Sequence, residues 1–225
     1  MSKYNFAVDE INPDSTHGRI LSKIKPGSTI LEMGCATGYM TKYMKEQMNC
    51  TVDIVEIDEE AYKTALQYAR KGFIGNLSDP LWRMFFDKER YDYILFADVL
   101  EHLVNPMTVL KSASELLKPE GQIIITIPNI CHNDIMIRMF YDLFTYTNMG
   151  LLDCTHVHFW GLRDFVMQCD QIGLHAKECN CILRETSHTE QALPAENVDP
   201  DLLEVLKKRD FGEVYQYLFV CVKKE

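Results

Sequence analysis

The chain has 225 residues, 47% of them hydrophobic, which is ordinary for a globular core and fits one large domain or two small ones. Its formal net charge of -10 at pH 7 repels phosphate backbones and anionic lipid headgroups, so we expect neither nucleic acid nor a membrane as a partner. The sequence lacks the apolar core of a signal peptide or membrane helix, and its eight cysteines form no CxxC pair. We therefore expect a cytoplasmic protein with reduced thiols.

Apolar extended segments alternate with amphipathic segments through the first 130 residues. Strands are predicted at 28–33, 51–57, 72–77, 91–97 and 122–127. Helices are predicted between them at 39–47, 59–70, 80–86 and 106–117. Asp58 is the predicted cap of the second helix, and Pro106 lies in the first turn of the fourth. This alternation is typical of a mostly parallel sheet with helices on both faces.

The pattern changes after Pro128. Helices are predicted at 134–144, 162–172 and 201–209, and strands at 174–183 and 213–222. Because no helix follows the last strand, we expect it to form a hairpin with the strand before it. The sequence thus predicts one α/β domain over residues 1–225, a doubly wound seven-stranded sheet that is mostly parallel and has an antiparallel last strand.

The first predicted strand ends in an acid and continues into a loop of small residues. Glu32 is followed by Gly34, Ala36 and Gly38, and a helical pattern begins at Tyr39. Such a loop places backbone amides at the carboxyl edge of the sheet, where open parallel sheets bind ligands, so we expect a nucleoside-like ligand. A dinucleotide fingerprint would need glycine at Ala36 and Tyr39, and no P-loop sequence occurs, so NAD and P-loop chemistry are disfavoured.

The stretch LEMGCATGYMT resembles motif I of the class I S-adenosylmethionine-dependent methyltransferases, in which an acid precedes GxGxG. Three later stretches are similar, in order, to the second, fourth and fifth strand motifs of that family: VDIVEID, YDYILFADVLEHL and LKPEGQIIITIPN. The fourth-strand stretch resembles the subgroup that includes the ubiquinone-type O-methyltransferases. The resemblance covers roughly residues 28–130, and it implies a Rossmann-like fold with S-adenosyl-L-methionine as the cofactor.

The resemblance also implies roles for individual residues. Glu56 is expected to take the ribose hydroxyls of the cofactor. Asn76 stands where the family often has an acid that meets the adenine amino group, and Asp79 follows closely. The residues predicted to bind the cofactor are Glu32, Gly34, Cys35, Ala36, Gly38, Glu56, Ile57, Asn76, Leu77, Ala97 and Asp98.

Residues 131–161 follow the fifth strand and are rich in methionine and aromatic residues. We expect them to form a lid or substrate insertion that roofs the cofactor site and gives an apolar acceptor pocket. The N-terminal segment, with Tyr4, Phe6 and the sequence DSTHGR, is expected to cover the cofactor from the other side. The predicted parts of the domain besides the lid are a cap segment (1–27), a cofactor-binding half (28–130) and a C-terminal half (162–225) with an insertion (184–210).

The resemblance implies methyl transfer by in-line displacement at a sulfonium, for which the protein mainly aligns the reacting atoms and excludes water. A hydroxyl acceptor also requires a base, and histidine titrates near neutral pH. His102 follows the fourth strand, and His132 follows the fifth. His156 and His158 lie in LLDCTHVHFWGLRDF, so these four histidines are the candidate catalytic residues. Asp153 with the last two offers three metal-type ligands, but no fourth is evident and the chemistry needs no ion, so we expect no metal.

We predict methyl transfer to a small-molecule acceptor, with a hydroxyl of a sugar-type or quinone-type metabolite favoured. The alternative is a regulatory protein of the same fold that binds the cofactor without transferring its methyl group, because Ala36 and Asn76 depart from the family pattern. A methylase of nucleic-acid base amines is disfavoured because ADVLEH replaces [DNS]PP[YFW] after the fourth strand. The sequence gives no indication of the oligomeric state.

Overall fold

The computed structural model describes residues 12–224. Within that range, seven strands form one sheet: β1 (Thr29–Met33), β2 (Thr51–Glu56), β3 (Lys71–Ile74), β4 (Tyr91–Ala97), β5 (Leu117–Pro128), β6 (Leu174–Leu183) and β7 (Val214–Lys223). The strand order is β3-β2-β1-β4-β5-β7-β6. The neighbouring pairs from β3 to β5 are parallel, and β7 is antiparallel to both β5 and β6. The predicted fold class and the final hairpin are confirmed.

Helices cover both faces of the sheet. Those of the described residues are α1 (Thr16–Leu21), α2 (Tyr39–Glu46), α3 (Glu59–Ala65), α4 (Leu81–Phe85), α5 (Pro106–Ser114), α6 (Asn133–Phe140), α7 (Leu162–Gln171) and α8 (Pro200–Lys207). Alternate residues of β1 serve the two faces: Ile30 packs in the core formed with α1 and α2, and Leu31 packs in the core formed with α4, α5 and α7. No helix between residues 12 and 224 has both the length and the apolar composition needed to cross a bilayer.

The strand order reverses between β1 and β4, which pair in parallel at the centre of the sheet. From β1 the chain moves outward to β2 and β3, and from β4 it moves in the opposite direction to β5. The loops that leave the carboxyl ends of β1 and β4 therefore diverge and open a crevice, which is where doubly wound sheets bind their ligands.

Strand β5 begins at Leu117, although the sequence predicts a strand from residue 122. The segment LKPEG has the composition of a turn, but the chain continues through it as a strand with a register shift opposite Tyr91 and Tyr93. Gly121 permits this close pairing, because a Cβ there would lie 2.8 Å from the Tyr91 carbonyl oxygen. The preceding helix ends at Ser114 as a consequence.

Helix α3 ends at Ala65 instead of residue 70, because Arg70 pairs with a buried acid. The Arg70 amide donates to the Val52 carbonyl oxygen at 2.7 Å, and its Nε donates to Asp53 at 2.9 Å. Asp53 is fully buried and also accepts the Tyr91 hydroxyl at 2.6 Å. A buried carboxylate needs such partners, so this pairing outweighs the helical pattern of the local sequence.

The segments 131–161 and 184–210 pack against each other through buried polar side chains. The Asp134 carboxylate accepts the Ser187 amide and the Thr189 hydroxyl, each at 2.7 Å. Asn133 donates to the Thr186 hydroxyl at 3.0 Å. Helix α6 ends at Phe140 instead of residue 144. The apolar side chains exposed between residues 139 and 149 are Met139, Phe140, Leu143, Phe144, Tyr146 and Met149.

Candidate active site

A cleft with a volume of about 580 Å³ opens at the carboxyl edge of β1, β2 and β4, the crevice that the strand order creates. Ten of the eleven predicted cofactor-binding residues line it, and the exception is Gly38. The topology brings them together because every parallel strand ends at the same edge of the sheet.

Gly38 packs two helices together instead of facing the cleft. It caps α2 in the left-handed conformation, with a φ of 79°. A Cβ at this position would lie 2.6 Å from both Cα and Cβ of Ala65 on α3. Glycine is therefore required here for close packing of α2 on α3.

The loop after β1 has a left-handed backbone at two further positions, Gly34 with a φ of 75° and Ala36 with a φ of 48°. The Gly34 amide donates to the Val55 carbonyl oxygen at 2.8 Å. A Cβ at Gly34 would lie 2.7 Å from a methyl group of Val99, which also lines the cleft. At Ala36 the left-handed conformation costs about 1 to 2 kcal/mol relative to the right-handed one. The backbone geometry explains why glycine suits the middle position of the motif and how alanine still fits.

Glu56, at the end of β2, fixes that loop through its carboxylate. Its Oε2 accepts the Ala36 amide at 2.8 Å, and its Oε1 accepts the Ile57 amide at 2.8 Å and the Asp58 amide at 3.0 Å. The residue is 8% exposed, and that remaining surface faces the cleft. Asp58 caps α3 by accepting the Ala61 amide at 2.8 Å, as its sequence position predicts.

Glu32 adds a second carboxylate to this end of the cleft. It is 2% exposed and accepts the Thr41 hydroxyl at 2.6 Å. The pKa of Glu32 is raised to about 7 by burial and by the nearby Glu56, against the opposing effect of the hydrogen bond from Thr41. The neighbouring Cys35 thiol is buried, which raises its pKa and keeps it protonated. The two carboxylates make this end of the cleft attractive to a cationic group.

The residues after β3 form the opposite end. Asn76 and Leu77 line the cleft, and the Asn76 side-chain oxygen accepts the Ser78 amide at 2.8 Å. The Asn76 amide group can therefore offer N–H donors to a ligand. Asp79, the other residue at this position of the sequence, accepts the Leu81 amide at 2.9 Å at the start of α4 and does not line the cleft. Ile57, which also lines this end, is 64% exposed.

The end of β4 contributes Ala97 and Asp98 to the centre of the cleft. Asp98 has a left-handed φ of 55°. Its Oδ1 accepts hydrogen bonds from the Thr126 hydroxyl at 2.9 Å and from the side-chain amide of Gln216. These contacts connect β4 to β5 and β7 and hold the Asp98 carboxylate in one orientation.

Two of the four candidate histidines lie at this part of the molecule. His102 lines the cleft, with Nδ1 3.3 Å from the Thr155 carbonyl oxygen. His156 is 8% exposed, and its ring meets the His102 ring edge-on at a centroid distance of 4.8 Å. Burial lowers the pKa of His156, and the neighbouring His102 lowers it further.

Of the four candidates only His102 lines the cleft; His132, His156 and His158 do not, which corrects the expectation drawn from their chain positions. His132 is fully buried: Nδ1 accepts the Asp134 amide at 3.1 Å as a helix cap, so the proton is on Nε2, which donates to the Arg184 carbonyl oxygen at 2.9 Å. His158 stacks on Trp160, and its Nε2 lies 3.0 Å from the Val104 carbonyl oxygen. Both rings serve the fold.

Several residues of the cleft were not predicted from the sequence. His17 and Tyr39 meet edge-on at a centroid distance of 4.8 Å, and burial lowers the pKa of His17. Asp153 and Thr155 are the two lining residues from the 131–161 segment, so its methionine and aromatic side chains do not line the cleft. His17 lies in the sequence DSTHGR, two residues after Ser15, which caps α1. The predicted covering residues Tyr4 and Phe6 lie outside the part of the chain that the structure describes.

The known proteins that this chain resembles are methyltransferases. The chain is 26% identical over 110 residues to the ubiquinone biosynthesis O-methyltransferase of Glaesserella parasuis, which covers 46% of each chain. It is 26% identical over 114 residues to the (S)-coclaurine N-methyltransferase of Thalictrum flavum, which covers 49% of this chain and 31% of the relative. The chain thus spans less than half the length of these curated relatives. A solved S-adenosylmethionine-dependent methyltransferase from Archaeoglobus fulgidus has the same fold, with a TM-score of 0.64 at 14% identity over 94% of this chain and 92% of that one.

The family model described as "Methyltransferase domain" matches residues 12–178, which include the sheet from β1 to β5 and every described element that forms the cleft. The matched range contains the loop after β1 and the acid that ends β2. The chain belongs to the class I S-adenosylmethionine-dependent methyltransferase family.

Proposed function

We propose that this protein transfers the methyl group of S-adenosylmethionine to a hydroxyl of a small molecule of the sugar or quinone type. The observation that carries the proposal is the hydrogen bond of 2.8 Å between the Ala36 amide and the Glu56 carboxylate. It unites the glycine loop and the acid of β2 in one wall of a cleft whose volume suits a nucleoside-sized ligand.

The proposed cofactor lies along the carboxyl edge of the sheet. Its methionine end is placed against the loop at Gly34, where Glu32 and Glu56 favour the positive charges of the ammonium and sulfonium groups. The ribose hydroxyls donate to the lone pairs that Glu56 has left after its contacts with the backbone. The adenine ring lies at Asn76, and the exposed side chain of Ile57 covers one ring face.

In this placement the methyl group points towards the residues that follow β4. Val99 and Leu103 give this part of the cleft apolar surface, and His102 gives it a polar group. The cleft aligns the acceptor oxygen, the methyl carbon and the sulfur, and it keeps water away from them. Nδ1 of His102 faces the carbonyl oxygen of Thr155 and its hydroxyl, which donates to Asp153, so both oxygens accept and the ring proton stays on Nδ1. Nε2 then has a lone pair for the acceptor end.

Binding is tested first, by isothermal titration of the full chain with S-adenosylmethionine and with S-adenosylhomocysteine. We expect micromolar affinity for both, and a loss of about tenfold or more for Glu56→Gln, which removes the charge and replaces one acceptor oxygen. Glu120→Gln is the matched control, because Glu120 is exposed and far from the cleft. Absence of binding heat for the wild-type chain would refute the proposal.

Methyl transfer is tested by the release of S-adenosylhomocysteine with panels of sugars, catechols, hydroquinones and amines. Turnover with a hydroxyl panel and not with the amines supports the proposed acceptor. Turnover confined to amines would replace the hydroxyl with nitrogen, an outcome that the N-methyltransferase among the relatives makes worth measuring. Binding without turnover on any panel would favour the regulatory alternative.

A further inference from the structure

One carboxylate and two imidazoles meet beside the acceptor end of the cleft. They belong to Glu101 and His102, in the one-turn 3-10 helix Leu100–His102 after β4, and to His156. One ligand atom from each lies within 4.8 Å of a ligand atom of both others. From the sequence we expect no metal, and the set considered there and rejected was Asp153, His156 and His158.

The Glu101 carboxylate has an unsatisfied oxygen. The residue is 1% exposed, and within residues 12–224 its Oε2 has no hydrogen-bond partner. A buried carboxylate oxygen without a partner is destabilising, so native structures provide such groups with a donor or a cation. The missing partner of Glu101 Oε2 is therefore evidence that a ligand binds at this position.

Both histidines are held in the tautomer that leaves Nε2 free to bind a metal ion. Nδ1 of His102 lies 3.3 Å from the Thr155 carbonyl oxygen, and Nδ1 of His156 lies 3.3 Å from the Leu151 carbonyl oxygen. A carbonyl oxygen only accepts, and the Thr155 hydroxyl, 3.1 Å from Nδ1 of His102, gives its own proton to Asp153 at 2.7 Å. Each Nδ1 therefore carries the proton, and each Nε2 keeps its lone pair. A backbone carbonyl on the other ring nitrogen is the usual outer contact of a metal-binding histidine.

Main-chain hydrogen bonds hold together the two segments that carry these three side chains. The carbonyl oxygen of Glu101 accepts the Val157 amide at 2.8 Å and the His158 amide at 3.1 Å. These two bonds fasten the segment with His156 to the turn with the other two ligands. The three side chains therefore converge because of main-chain contacts between segments more than 50 residues apart.

We propose that Glu101, His102 and His156 bind a divalent transition-metal ion. One carboxylate with two imidazoles is a donor set that Mn²⁺, Fe²⁺ and Zn²⁺ accept, and three protein ligands leave coordination positions for an outside oxygen. His102 lines the cleft, so those positions are reachable from the acceptor end.

The part of the ion in the reaction rests on the function proposed above. The acceptor hydroxyl binds the ion through oxygen, which lowers its pKa. With the ion bound, the Nε2 lone pair of His102 is taken by the metal and does not accept the proton, which leaves to solvent. The oxygen then forms a bond to the methyl carbon while the bond from that carbon to sulfur breaks, and sulfur keeps the electron pair as a neutral thioether. Acceptors with a second oxygen next to the hydroxyl gain a second bond to the ion, so catechol-type and vicinal-diol acceptors are the favoured class.

The site is tested on the untagged full chain after chelation and desalting, in the absence of cofactor. Mn²⁺ is titrated with free ion followed by electron paramagnetic resonance, and Zn²⁺ is titrated by calorimetry. We expect one ion per chain with a dissociation constant on the order of micromolar or below, weakened about tenfold or more in Glu101→Gln and in His156→Gln. His175→Gln is the control, because His175 is exposed on β6 and outside the cluster.

Thermal unfolding gives a second measurement. A saturating ion should raise the Tm of the wild-type chain and leave that of Glu101→Gln unchanged. If the buried substitution prevents folding, His102→Gln replaces it, because that ring is partly exposed. No binding of either ion at about 1 mM, or equal binding by all variants, would overturn the proposal. Binding of S-adenosylmethionine to the same metal-free protein is measured in parallel, so a chain that binds cofactor but no ion refutes this site alone.

Discussion

The Ala36 amide and the Glu56 carboxylate form a hydrogen bond of 2.8 Å that joins the loop after β1 to the end of β2. The same carboxylate accepts two further amides, from Ile57 and Asp58. Three backbone donors thus depend on one side chain that also faces the cleft. The residue is consequently both a structural support of the loop and the proposed ligand of the ribose.

The double role of Glu56 is testable by comparing two substitutions. Glu56→Gln keeps one oxygen, whereas Glu56→Ala leaves all three amides without their acceptor. We expect Glu56→Ala to lower the free energy of unfolding by about 1 to 3 kcal/mol, measured by urea denaturation, and Glu56→Gln to lower it less. Equal stability of Glu56→Ala and the wild type would contradict the supporting role.

Ala36 holds a backbone conformation that glycine adopts without strain. We expect Ala36→Gly to raise the free energy of unfolding by about 0.5 kcal/mol, because relief of the strain exceeds the added flexibility of the unfolded chain. Ala69→Gly is the matched control, since Ala69 has no positive φ and should lose stability. A destabilised Ala36→Gly protein in urea denaturation would show that the methyl group of Ala36 packs favourably.

Gly38 is predicted to matter for packing and not for ligand contact. In Gly38→Ala the new methyl group meets Ala65 at 2.6 Å, so the free energy of unfolding should fall by about 2 to 4 kcal/mol. Adding Ala65→Gly removes one of the two close contacts and should restore part of the loss. Independent, additive effects of the two substitutions would contradict direct contact between these positions.

Glu32 gives the binding of the cofactor a pH dependence. Its pKa in the folded chain is about 7, above the ordinary 4.5, so the folded state binds the proton more tightly and loses stability as the pH rises from about 4.5 to 7. A cationic ligand beside Glu32 lowers that pKa, so binding near pH 7 releases a proton and affinity rises with pH through this range.

Calorimetry in buffers of different ionisation enthalpy measures the number of protons released. We expect a release near pH 6.5 for the wild-type chain that is smaller in Glu32→Gln, which cannot titrate. The same proton count in both proteins would show that Glu32 does not sense the ligand.

Substitution of His132 should lower stability, whereas substitution of His102 should lower kcat. His132→Ala removes a helix cap and a buried hydrogen bond, so stability should fall by about 1 to 3 kcal/mol while kcat per folded molecule is kept. His102→Ala should lower kcat by about 100-fold with little change in Tm. Steady-state kinetics with thermal unfolding checks both, and the reverse assignment of effects would contradict the placement of these rings.

The first half of the fold was predictable because a strand at the centre of a parallel sheet has a nearly continuous apolar sequence. The predicted strand 91–97 is confirmed by β4, and the small-residue loop after residue 33 lies at the carboxyl edge of the sheet. Ten of the residues predicted to bind the cofactor line the cleft, because each lies at or soon after the carboxyl end of a strand and parallel strands share that edge.

The acceptor side was less predictable, because its residues depend on contacts between distant segments. Chain position alone predicted the same location for His132 and His102, although the His132 ring is buried and caps α6. His17 reaches the cleft because α1 packs on the sheet from the N-terminal side, a contact that local sequence does not reveal. Glu101 meets His156 because its carbonyl oxygen accepts the amides of Val157 and His158, more than 50 residues along the chain.

The most direct measurement is a crystal structure of the full chain with S-adenosylhomocysteine bound. The ribose hydroxyls should lie within hydrogen-bonding distance of the Glu56 carboxylate, and the homocysteine end should lie against the loop at Gly34. Electron density for the ligand away from these two residues, or a cleft that stays empty at saturating ligand, would contradict the proposed cofactor site.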